Sequence, residues 1–141
     1  MFFGQSRDEL RRFYLTAWRK HIEKQPVEPL EAMIIDVIIL HPEYHSLLDS
    51  EEQALGHETS PEQGEVNPFL HMGMHIAIRE QLSTSRPAGI DSAYDALLRR
   101  FSDPHAAEHR MMECLGEVMW LAQRNNSPPD EIAYLECLRS L

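Results

Sequence analysis

Cysteine is scarce in this chain of 141 residues: Cys114 and Cys137 stand alone, 23 positions apart. Two cysteines supply neither a disulfide framework nor the second pair that a zinc knuckle requires, so free thiols in a reducing compartment are expected. No apolar run approaches the 18 or so residues of a membrane span, and the opening Met-Phe-Phe-Gly-Gln-Ser-Arg-Asp-Glu turns charged too early for a signal peptide. A cytoplasmic protein outside the membrane is the expectation. Basic residues are missing over a long stretch. Between Gln25 and Ile78 there is no Lys or Arg, while ten acids fall there, within a formal net charge of −10. Binding nucleic acid without sequence preference needs basic groups that displace counterions from phosphates, so this middle makes a nucleic-acid partner unlikely. No Gly-rich loop is present to cradle a nucleotide phosphate either.

Strand signals are also wanting. The β-branched run Met33-Ile-Ile-Asp-Val-Ile-Ile-Leu40 has no second strand-like run to pair with, and it reads better as a helix. Helix starts, by contrast, are well marked. Ser6-Arg-Asp-Glu9 has the form of a capping box before a helix reaching about Lys24, and Asn67-Pro68 and Asp103-Pro104 each pair an N-cap residue with an N1 proline. Ser127 is read as the cap of a last helix from Pro128, with Ile132, Leu135 and Leu138 inward. A short helix is expected over Pro42–Leu48, with His45 near its end. The expected architecture is one all-α domain over 1–141, a compact bundle of about six helices with one long acidic loop from Asp49 to Val66. Asp36 falls between apolar neighbours on the helical wheel, where a carboxylate needs a partner. Arg7, Arg11, Arg12, Arg19 and Lys20 read as the solvated side of the first helix, pairing with acids elsewhere in the fold.

The residues that carry chemistry are the histidines. Six of eight fall into three pairs at i, i+4, namely His41/His45, His71/His75 and His105/His109. Random placement would give roughly 0.4 such pairs, and this spacing puts two side chains on one helical face. Two imidazoles one turn apart can hold a transition metal, with a second helix of a bundle completing the set. His71 and His75 share the stripe of Met74 and Ile78, so that pair faces the core. The His105/His109 pair lies about 120° or more from the main apolar stripe of its helix, which favours hydrogen-bonded structural histidines instead. Met112 and Trp120 on the same face supply apolar cover for it. No Glu-x-x-His or His-Glu-x-x-His occurs, so neither the di-iron carboxylate pattern nor the metalloprotease helix is present.

Several longer motifs together carry a resemblance: Arg-Arg-Phe-Tyr, Ala-Trp-Arg-Lys-His, His-Pro-Glu-Tyr-His, Asn-Pro-Phe-Leu-His-Met-Gly-Met-His, Asp-Pro-His-Ala-Ala-Glu-His and Met-Met-Glu-Cys-Leu-Gly-Glu. The chain resembles, over essentially its whole length, the bacterial family catalogued as domain of unknown function 1841. The resemblance implies a small proteobacterial cytoplasmic protein and brings no assigned activity with it.

The expected function is the binding of one divalent transition metal (Zn, Fe, Mn, Ni or Cu) by His71 and His75 with His105 and His109, helped by His45 or by Glu108 or Glu113. It becomes catalytic if one coordination position stays open to water. The alternative is an adaptor or regulatory protein that engages other proteins through the acidic loop and the basic first helix, with its histidines structural. Seven methionines and Trp120 are also compatible with a homodimer interface.

Overall fold

The computed structural model describes residues 6–141; residues 1–5, where the reading against a signal peptide falls, lie outside it. Among the described residues there are seven α-helices and no strand, as the all-α reading expects. They are α1 (Arg7–Ile22), α2 (Pro29–Ile39), α3 (Glu51–Gly56), α4 (Pro68–Thr84), α5 (Ile90–Phe101), α6 (Pro104–Arg124) and α7 (Glu131–Arg139). The chain divides within α4 into two compact units, Met1–Ile76 and Ala77–Leu141. No helix among the described residues is long and apolar enough to cross a membrane.

In the first unit, α1 packs on α2 and α3. Ser6 Oγ accepts from Glu9 N at 3.2 Å and starts α1. The run 33–40 is helical despite its β-branched residues, because propensity costs only tenths of a kcal/mol per residue. Burial of Ile34, Ile35, Val37 and Ile38 stabilises by about 1.5–3 kcal/mol each, so packing decides. A capping box at Glu28 and Glu31 fixes the start of α2, with Glu31 also taking Lys20 Nζ at 2.9 Å. Asp36 is exposed, so its wheel position does not bury it and it needs no partner. Around Tyr14, Trp18, Ile34, Ile38, Phe69 and Met72 a continuous apolar core forms. Gly73 lets α1 come close: a Cβ there would meet Tyr14 Oη at 3.4 Å, and that hydroxyl donates to Phe69 O at 3.2 Å.

Three expectations about this unit are corrected. Pro42–Leu48 forms no continuous helix but two 3-10 turns, Pro42–Tyr44 and Leu47–Asp49. The acidic segment 49–66 is not one loop, for it contains α3 and a further 3-10 turn at Pro61–Gln63. Arg11 is not on a solvated face; it is buried, its Nη1 donating to Ala54 O and His57 O at 2.8 Å and to Leu55 O at 3.3 Å. Six residues are too few to hold a helix alone. The guanidinium satisfies the carbonyls left over at the end of α3 and so holds it in place. Burial and the neighbouring Arg7 lower the pKa of Arg11 below the ordinary guanidinium value. Arg7 and Arg12 pair with acids as expected, Arg7 with Glu58 at 3.3 Å and Arg12 with Glu51 at 3.4 Å.

In the second unit, α5, α6 and α7 pack on one another, burying Ile90, Leu97, Met111, Leu115, Val118, Tyr134 and Leu138. Asp103 caps α6 through His105 N and Ala106 N, as its Asp-Pro start predicts. The last helix begins at Glu131 under an Asp130 cap rather than at Pro128, because Asp130 Oδ1 accepts from Ala133 N at 3.1 Å. Ile132 points outward, 71 % exposed, and Tyr134 takes the inward position expected for it. The free thiols expected from composition are also corrected: Cys114 of α6 and Cys137 of α7 form a disulfide with their Cα atoms 5.8 Å apart. A sequence separation of 23 says nothing of distance in space until the return of α7 along α6 is known.

Candidate metal centre

Asn67 Oδ1 accepts from Phe69 N at 3.0 Å and from Leu70 N at 3.4 Å, so α4 starts where its Asn-Pro pair marks it. That start places His71 and His75 on adjacent turns, with His75 fully buried and His71 half-buried. Their ring centroids lie 4.9 Å apart. His41 joins them from the end of α2, 5.0 Å from the His71 ring and 4.9 Å from the His75 ring. It is 3 % exposed. On one side it stacks on Tyr44 at 5.4 Å with the planes within 5°. Tyr44 in turn lines an open cleft of about 720 Å³ with Glu43, Leu47, Glu52, Gln53 and His57, and burial with the nearby Glu43 raises its phenol pKa.

The tautomer of His41 follows from its backbone contact. Its Nδ1 stands 2.7 Å from Val37 O, and a carbonyl can only accept, so Nδ1 carries the proton. In the neutral ring Nε2 then bears the lone pair. Metal-binding histidines are fixed in this way by a second hydrogen bond to a carbonyl. His45 is engaged elsewhere: Nε2 donates to Ile38 O at 2.8 Å, and its ring lies 4.7 Å from Trp18.

In α6 the rings of His105 and His109 are 4.2 Å apart, edge to face, and both are half-buried rather than exposed. Met112 beside them is buried, whereas Trp120 is 57 % exposed. Glu108 is buried and pairs with Arg79 Nε at 3.2 Å. Glu113 is exposed and pairs with Arg110 at 3.2 Å one turn away.

Within the first unit the rings of His41, His71 and His75 thus meet, and within the second those of His105 and His109; imidazoles gathered in this way could hold a metal ion. Of the residues expected from sequence, His71 and His75 stand in the first group and His105 and His109 in the second. His45, Glu108 and Glu113 have the other contacts given above. Sequence reasoning left out His41, although it had paired that residue with His45 by spacing alone.

A protein all-helical over its described residues, with imidazoles gathered in this way, is the class that fold and site define. The family described as domain of unknown function DUF1841 matches residues 6–140, and the chain belongs to that family. No curated protein and no solved structure matches it.

Proposed function

We propose that the protein binds one divalent transition metal through His41, His71 and His75, the three imidazoles that meet in the first unit. The carrying observation is the approach of these three rings, whose centroids lie 5.0 Å (His41–His71), 4.9 Å (His41–His75) and 4.9 Å (His71–His75) apart. Three protein ligands with water in the fourth position is the donor set of many zinc sites, and three imidazoles on two elements of one unit can supply it. The fixed Nδ1–H of His41 supports the same reading, since it aims the lone pair of Nε2 away from Val37. Neutral imidazole nitrogens suit Zn, Cu, Ni or Fe better than Mn, Mg or Ca, which prefer oxygen. With three imidazoles as ligands, a fourth coordination position would stay open to water.

The adaptor reading draws no support from the charged groups first offered for it, because Arg7, Arg11 and Arg12 are engaged by the segment that contains Glu51, His57 and Glu58. The test is elemental analysis of untagged protein purified without chelator and reconstituted with zinc. Near-stoichiometric metal is expected in the wild type and in Glu113→Gln, with loss in a His41→Ala, His75→Ala double variant whose helical circular dichroism is retained. A wild type that stays metal-free, or a double variant that keeps its full content, would sink the proposal.

A further inference from the structure

We infer that the Cys114–Cys137 bridge is a redox-controlled staple that holds α7 on α6. The inference stands apart from the metal reading. It rests on how little else ties α7 down. The helix has nine residues, fewer than the roughly 12–15 at which an isolated helix is even marginal in water. Within it only Tyr134 and Leu138 are buried, while Ile132 is 71 % exposed. Its other side-chain tie across the unit is Tyr134 Oη, which donates to Gln81 Oε1 at 2.7 Å. The bridge joins two ends of different character: Cys114 is 1 % exposed in the middle of α6, and Cys137 is half-buried in the last turn of α7.

That asymmetry sets the chemistry. A thiolate from a small dithiol reductant reaches the sulfur of Cys137 and forms a mixed disulfide, and Cys114 departs as a thiolate that takes up a proton. The second thiol of the reductant then attacks its own mixed disulfide and releases Cys137. Two electrons and two protons pass to the protein, and the dithiol becomes a cyclic disulfide. With the bridge open, the denatured and locally opened chain regains the freedom that the cross-link removes, and α7 opens more often.

Hydrogen exchange on full-length, metal-free protein tests this, comparing oxidised protein with protein treated with dithiothreitol. In the oxidised sample no thiol should react with iodoacetamide under denaturing conditions; after reduction, two should. Reduction should lower the protection of amides within 131–139 by at least about tenfold, with α5 amides unchanged. The Cys114→Ala, Cys137→Ala double variant should exchange like reduced protein and ignore dithiothreitol. Two reactive thiols after incubation with oxidised glutathione would overturn the inference, and so would equal protection of α7 in the two wild-type states. If the double variant fails to fold, the wild-type comparison alone decides.

Discussion

Replacing Arg11 by methionine isolates what one buried cation does for the first unit. The substitution keeps an unbranched stem of similar reach and removes the guanidinium. Two short bonds disappear, to Ala54 O and to His57 O, both 2.8 Å. The second carbonyl is not orphaned, because Arg7 Nη2 also donates to His57 O at 2.8 Å and to Leu55 O at 3.2 Å. Ala54 is fully buried, so loss of its carbonyl's donor costs about 1–3 kcal/mol. The guanidinium also sits 4.6 Å from the centroid of Phe69, a contact worth about 0.5–2 kcal/mol. Part of this returns, since the variant no longer desolvates a charge. The expected loss is about 2–3 kcal/mol, which at about 3 °C per kcal/mol for a chain of this size lowers Tm by about 6–9 °C. Differential scanning calorimetry reads the shift, and hydrogen exchange over 51–58 should rise with it. Arg12→Met is the control: its pair with Glu51 is 55 % exposed on each side, and such pairs contribute about 0–1 kcal/mol. If Arg11→Met lowers Tm no more than Arg12→Met does, the claim that α3 is held from α1 is wrong.

Two further outcomes follow from titrating groups. The Glu31 carboxyl lies below its ordinary pKa, first through the Glu28 backbone N–H and then through Lys20. Its contribution to stability is therefore present above the unfolded value of about 4.3 and is lost as pH falls through the lower folded value; Glu31→Gln should flatten the fall of Tm below about pH 4.3, and an unchanged slope would refute it. Burial pushes the Tyr134 phenol up to about 12, against a smaller opposing effect of its bond to Gln81. The unfolded phenol ionises first, so stability drains away as pH rises above about 10. Ultraviolet titration of Tyr134→Phe should lack one late-ionising tyrosine, and its Tm should fall less steeply in that range.

What the sequence made legible was whatever depends on neighbours in the chain. The Asn67-Pro68 and Asp103-Pro104 starts are local devices, an oxygen reaching amides two or three residues on, and both appear where their residues stand. The amphipathic stripes of α1, α5 and α6 are likewise written into a period of 3.6 residues. Helix α3 was illegible because its cause lies elsewhere. Six residues have no periodicity to read, and the group that fixes them is Arg11, 43 positions earlier than Ala54. The disulfide was illegible for the same reason, since the turn between α6 and α7 decides it and not the count of cysteines.

His41 shows how a sound spacing rule misleads once its premise fails. The separation of His41 and His45 implies a shared face only if the residues between them continue a helix. His41 has φ −126° and ψ 66°, outside the helical region, as the following Pro42 requires of the residue before it. The two rings therefore part. His45 turns to Ile38 O and Trp18, and His41 turns to Val37 O, His71 and His75. The same proline that removes His41 from a pair with His45 thus frees it to meet α4. A residue excluded from one i, i+4 pair by a break in the helix remains a candidate partner for the pair on the next helix.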